Sequence, residues 1–91
     1  MTATVRLPRM LSETVKTDVA HEVVGATVEE ALTDLFAKVA GLRNHICEET
    51  GVIRPHVSVF VDGLQADLAT RLHEGSEIRV LHAVSGGSPP G

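Results

Sequence analysis

The sequence contains no tryptophan and no tyrosine, only two phenylalanines (Phe36 and Phe60), and a single cysteine, Cys47. So few aromatics leave no surface on which bases could stack. A lone cysteine makes no intramolecular disulfide, so nothing points to an oxidising compartment and the expected location is cytoplasmic. No apolar run approaches the roughly 18 residues needed to cross a bilayer. No basic segment leads into an apolar one as in a secretory signal. Cationic residues are also scarce. Eight Lys and Arg face twelve Asp and Glu, giving a formal net charge of −4. That sign opposes the displacement of phosphate counterions and attraction to an anionic lipid surface, so neither a nucleic acid nor a membrane is an expected partner.

Familiar reaction chemistry is missing as well. There is no P-loop, no dinucleotide-binding glycine fingerprint and no Gly-x-Ser-x-Gly elbow. The five histidines (His21, His45, His56, His73 and His82) form no His-x-x-x-His pair, and zinc needs three or four converging ligands. Cys47 lies two residues from His45, too close for a metal or dyad spacing on a helix, and reads as a small buried apolar residue. Glu29-Glu30 and Glu48-Glu49 are adjacent, so on a helix their side chains diverge by about 100° and read as solvated faces. No catalytic residue and no metal site is expected.

What is present suits one small domain. The chain has 91 residues, 43% of them apolar, enough for a single core. Residues 3–9 alternate as a strand with Val5 and Leu7 inward, and Pro8 marks its end. Residues 10–17 read as a polar connection, and Asp18 to Val24 as a return strand. Thr27 and Glu30 form a capping box, with Glu30 expected to reach back to the Thr27 amide. Val28, Ala31, Leu32, Leu35, Phe36 and Val39 then recur at helical spacing over residues 28–40, and Gly41 fits a left-handed cap. A short helix is expected within Leu42 to Gly51, with Leu42, Ile46 and Cys47 inward.

His56 to Val61 is the clearest strand. Val57, Val59 and Val61 share one face; His56, Ser58 and Phe60 share the other. Asp62-Gly63 is a hairpin turn signal. Residues 64–72 read as irregular, with Leu68 and Leu72 buried. After the Glu74-Gly75 turn, residues 77–84 form the last strand, with Ile78, Val80, His82 and Val84 in one phase. The order strand, strand, helix, strand, irregular segment, strand predicts an α+β fold. The first and last strands lie side by side in a mixed sheet, and one main helix packs on one face. That is the β-grasp, or ubiquitin-like, architecture. Residues 1–84 make the domain and residues 85–91 a flexible C-terminal tail.

The tail reads Ser85-Gly86-Gly87-Ser88-Pro89-Pro90-Gly91. Taken alone, it could be a plain polar terminus. Seven extended residues reach roughly 23–25 Å. Two glycines suit an arm that delivers a carboxyl group into another enzyme's narrow channel, because glycine has no Cβ and adopts any φ/ψ inside it. Strand phase leaves Phe60, Arg79 and Leu81 on the helix-free face. An apolar patch rimmed by charge there is a docking signal; a register slip of one residue would turn it inward.

Three stretches carry a resemblance: Val5-Arg6-Leu7-Pro8-Arg9-Met10-Leu11, His56 to Gly63, and Leu72 to Gly87, which ends in Ala83-Val84-Ser85-Gly86-Gly87. With the helix, they are similar to the MoaD/ThiS family of ubiquitin-like sulfur-carrier proteins, and within it to actinobacterial carriers of the CysO type. The resemblance implies a co-substrate without catalysis of its own. An E1-like enzyme would adenylate the Gly87 carboxylate, and sulfur would replace AMP to give a thiocarboxylate. A cysteine-synthase-like or other biosynthetic enzyme would accept the sulfur. Gly86 would be the slim residue that threads the channel, and Phe60, Leu81 and Arg79 would form the partner interface. No bound cofactor is implied; the cargo is covalent.

One departure matters. Family members commonly stop at Gly-Gly, whereas Gly87 here is in amide linkage to Ser88. Related carriers with extra tails are trimmed by JAMM-type zinc metallopeptidases, which implies cleavage between Gly87 and Ser88. Three other functions remain open at this point: a ubiquitin-like modifier conjugated to lysines, the small subunit of molybdopterin synthase, and a β-grasp interaction domain with an inert tail.

Overall fold

Val5 and Ile78, both fully buried, lie opposite each other in a parallel pair of strands, β1 (Thr2–Arg6) and β5 (Ser76–His82). Around them a computed structural model, which describes residues 1–82, arranges five strands in the order β2-β1-β5-β3-β4. The others are β2 (Ala20–Val24), β3 (Val57–Val61) and β4 (Leu64–Ala66), and all remaining pairings are antiparallel. A parallel neighbour far along the chain requires a crossover. Helix α2 (Val28–Lys38) supplies it and covers one face of the sheet. Two short helices complete the fold, α1 (Arg9–Thr14) and α3 (Arg43–Ile46).

The core is the seam between α2 and the sheet. Val28, Ala31, Leu32 and Leu35 of α2 are buried, as are Val5, Val59, Val61, Ile78 and Val80 of the strands. Leu42, Ile46 and Cys47 close one end, as their spacing predicted. The start of α2 is held from three directions. Thr27 Oγ1 accepts from the Glu30 N–H at 3.3 Å, and the Val28 and Glu29 amides donate to the Thr70 and Leu68 carbonyls. Gly25 packs directly against this turn.

Several expectations are corrected. Residues 10–17 are not simply a connection: residues 9–14 form α1. A six-residue helix buries only Leu11 and Ser12, too little to show a period, and β1 ends at Arg6, short of residue 9. The carboxylate of Glu30 accepts from the Ala26 N–H at 2.8 Å, not from Thr27; the chain wraps back over the first turn at Gly25 and presents that amide instead. Helix α2 stops at Lys38 because Val39 is extended, and Gly41, with φ of +83°, serves the turn beyond. Part of residues 64–72 forms a strand. Asp62 and Gly63 both have positive φ (51° and 89°), the two-residue hairpin that pairs β3 with β4. Three residues, one of them half-buried Ala66, are too few to display alternation. Leu72 is buried and Leu68 packs partly against the core. The expected end of the last strand at Val84, and the tail at 85–91, lie outside the described residues.

Candidate functional site: the open sheet face and the end of β5

The face of the sheet away from α2 is set by the register of β3 and β5. Phe60 pairs with Arg79, and Ser58 with Leu81. Their alternates Val57, Val59, Val61, Ile78 and Val80 are all buried. With a side-chain period of two, Phe60, Arg79 and Leu81 must face outward together. They line a shallow hollow of about 330 Å³ with Gly63 and Glu77. Leu81 is 43% exposed and Phe60 is half-buried.

Glu77 orders the rim of this hollow. Its carboxylate accepts from Arg6 Nε on β1 and sits 3.6 Å from Arg79 Nη2 on its own strand. Its amide donates to Asp62 Oδ1 at 2.9 Å, and its carbonyl accepts from the Asp62 amide at 2.9 Å. One carboxylate thus holds two guanidinium groups and ties β5 to the hairpin turn. Such exposed pairs contribute about 0–1 kcal/mol each, so their role is to orient the arginines. Arg6, Gly63 and Glu77 were not among the interface residues expected from the sequence. The signal for Arg6 and Glu77 was available only once β1 and β5 were set in parallel register, where Thr4 lies opposite Glu77 and Arg6 opposite Arg79.

Two described residues, Cys47 and Asp34, have shifted acidity. Burial pushes the Cys47 thiol up, more than Arg43 and Arg54 pull it down; a protonated thiol is a poor nucleophile and a poor ligand. Asp34 is lowered, first by the Val24 N–H that donates to it at 3.0 Å and then by Lys38 at 3.2 Å. This pair fastens α2 to β2 and lies away from the open face. Among the described residues, no group of three or more His, Cys, Asp or Glu converges as a metal site, and no helix is long and apolar enough to cross a membrane.

Strand β5 connects this face to the candidate reactive group. It runs up the middle of the sheet and is described as far as His82, one residue past Leu81. Gly86, Gly87 and Ser88 lie outside the described residues. Gly87 follows His82 by five positions, a reach of at most roughly 18 Å. At the strand's end, His56 packs edge-to-face on His82, with ring centroids 4.8 Å apart and planes at 81°.

A five-stranded mixed sheet crossed by one main helix, with its first and last strands parallel at the centre, defines the β-grasp, ubiquitin-like class. The ThiS family pattern matches residues 5–87, and the chain belongs to the ThiS family of ubiquitin-like sulfur carriers, small carrier proteins rather than enzymes. Its structure is similar to that of SAMP1 from Haloferax volcanii (TM-score 0.85, 26% identity, covering 96% of this chain and 100% of that one). It is also similar to the Amycolatopsis orientalis BexX/CysO complex (TM-score 0.83, 26% identity, 93% and 99%). A third similar structure is the HVO 2177 protein of Haloferax volcanii (TM-score 0.72, 30% identity, 96% and 87%). No curated protein matches the chain in sequence.

Proposed function

We propose that this chain is a sulfur carrier whose Gly87 carboxyl group holds the cargo. The observation that carries the reading is positional. Gly86-Gly87 follows within five residues of the central strand of a β-grasp body, and the family match runs through Gly87. In this reading residues 1–84 are the body and residues 85–91 the delivery tail, working in the cytoplasm.

The chemistry proceeds in four steps. A JAMM-type metallopeptidase hydrolyses the Gly87–Ser88 amide, adding water across the bond and releasing Ser88–Gly91. The new carboxylate attacks the α-phosphorus of ATP on an E1-like enzyme, forming the acyl adenylate and releasing pyrophosphate. Hydrosulfide then adds to the Gly87 carbonyl and AMP leaves, giving the thiocarboxylate with loss of a proton and no change of oxidation state. That sulfur finally attacks an electrophilic carbon in the substrate of a cysteine-synthase-like or other biosynthetic acceptor enzyme, displacing the substrate's leaving group to form a thioester, and hydrolysis of the acyl–sulfur bond leaves the sulfur on the product and restores the Gly87 carboxylate. The carrier's own residues bind and orient. Phe60, Leu81 and Arg79 dock the activating enzyme, and Gly86 lets the backbone pass through its channel. The similar Amycolatopsis orientalis CysO structure, determined as a complex with BexX, supports a body that docks on partner proteins.

Intact-mass measurement after incubation with host extract and ATP tests the reading. The expected product lacks Ser88–Gly91 and carries one sulfur in place of one oxygen. Persistence of the full-length form together with its ATP-dependent activation would contradict the cleavage step. Trimmed protein that never accepts nucleotide or sulfur would contradict the carrier role itself. Similarity to the small archaeal modifier protein 1 of Methanosarcina acetivorans (TM-score 0.82, 25% identity) favours one second reading, in which the Gly87 acyl group passes to a lysine of a target protein. Branched Gly-Gly lysines in peptide maps of host lysate would separate the two.

A further inference from the structure

Strand β2 lies at one edge of the sheet and is bonded only to β1. The Leu7 amide donates to the Val19 carbonyl, and the Gly25 amide to the Met1 carbonyl. Antiparallel ladders alternate, so the odd-numbered residues of β2 turn their N–H and C=O groups toward β1. Ala20, Glu22 and Val24 then direct theirs outward, away from the sheet. Such a row is a ready template for another strand. At the opposite edge β4 has three residues, too short to offer one. Strand β2 has five, with Val19 just before it 42% exposed and Val24 at its end 60% exposed. Two of its outward groups are nevertheless taken by side chains of α2. The Val24 N–H donates to Asp34 Oδ2 at 3.0 Å, and the Glu22 carbonyl accepts from Lys38 Nζ at 2.9 Å. Asp34 and Lys38, one helical turn apart, are themselves paired at 3.2 Å. One ion pair thus spans alternate positions of the open ladder.

We propose that the Asp34–Lys38 pair is an autoinhibitory clasp, which holds the β2 edge closed against strand addition by a second copy of this chain. The second copy is the natural occupant because it presents an identical row of backbone groups and the same exposed valines. Two such edges meeting antiparallel about a twofold axis form a closed, isologous pair, with five strand residues on each side. An incoming strand needs the Val24 N–H and the Glu22 C=O as ladder partners, and both are engaged. It must also push aside the two side chains that lie across the edge, stripping each of its backbone bond. The chain therefore stays single at this edge, and its open sheet face stays uncovered. The clasp goes beyond the carrier reading and does not rest on it.

The test compares the whole wild-type chain with Asp34→Ala/Lys38→Ala from micromolar to millimolar concentration. Sedimentation equilibrium reads the mass, and amide exchange reads the edge. In wild type the Val24 amide should be protected, and the outward Ala20 and Glu22 amides should exchange freely at every concentration. The double variant should lose Val24 protection when dilute. As concentration rises its mass should double, and the Ala20, Glu22 and Val24 amides should become protected together. Lys38→Met keeps the aliphatic stem and removes only the charged cap, so it replaces the double variant if that one does not fold. It should pair in the same way, over a higher concentration range. A folded variant that stays a single chain, with β2 amides indifferent to concentration, overturns the proposal. So does a dimer whose new protection falls on β4 or the open sheet face, and so does wild type that already pairs through β2. Neither enzyme nor ATP is present, so this result and the fate of the carrier reading are independent.

Discussion

Replacing Gly25 by alanine puts a methyl group where backbone already lies. The added Cβ would sit 2.6 Å from the Ala31 nitrogen and 2.9 Å from both the carbonyl carbon and the Cβ of Glu30. These atoms form the first turn of α2, which cannot easily retreat. Its amides are committed to Thr70, Leu68 and Thr27, and its Val28, Ala31 and Leu32 side chains are buried. Forcing an extra carbon into such a site costs about 1–3 kcal/mol. Against this, alanine stiffens the unfolded chain, a gain of about 0.4–1 kcal/mol. The balance is a loss of about 1–2 kcal/mol, which lowers Tm by roughly 5–15 °C in a domain of this size. Circular dichroism melts measure it directly. Gly75→Ala is the control: φ there is +83° and nothing lies within 4 Å, so it tests left-handed strain without collision. Only Gly25→Ala should also speed amide exchange in the first turn of α2. A Gly25→Ala protein that melts at or above the parent temperature refutes the close-packing argument.

Three further outcomes follow from the site and its supports. Phe60→Ala should weaken binding to the adenylating enzyme by about 1–3 kcal/mol while the melt barely changes, because the ring is only half-buried; equal affinity in calorimetric titration would remove Phe60 from the interface. Gly86→Val should abolish ATP–pyrophosphate exchange by trimmed protein without lowering Tm, and undiminished exchange would show that the channel does not require a slim residue. Asp34 is held below its ordinary 3.8 by the Val24 amide and by Lys38, so its stabilising contribution is complete at neutral pH and is lost as pH falls through the lowered value. Asp34→Asn should therefore melt below the parent at neutral pH, with the gap closing in acid; a gap that persists in strong acid would mean that charge is not its source.

Legibility tracked the length of the pattern. Helix α2 has five apolar positions on one stripe and a capping pair, and β3 has three alternating valines, so their inner faces were plain from the sequence. The outward placement of Phe60, Arg79 and Leu81 followed from the same period of two. Helix α1 and strand β4 escaped because six and three residues show no period of their own; tertiary contacts to Leu11 and the Asp62-Gly63 hairpin create them. The grip of Glu77 on Arg6 was hidden because the two residues are far apart in sequence and meet only through the parallel register. The clasp over β2 was hidden for the same reason, since Asp34 and Lys38 reach Val24 and Glu22 only across the fold. The glycine pair was conspicuous as a pair, and its task was inferred from the body that precedes it.

Strand β5 is bonded on both flanks, to β1 with parallel polarity and to β3 with antiparallel polarity. Tension applied along the tail would therefore load two ladders in shear, spread over many hydrogen bonds, instead of peeling an edge strand one bond at a time. An enzyme that hauls the Gly87 end into its cleft, or a peptidase that tugs on the residues beyond, would tow the whole body without unravelling it. On the carrier reading proposed above, the body would survive repeated rounds of such pulling intact.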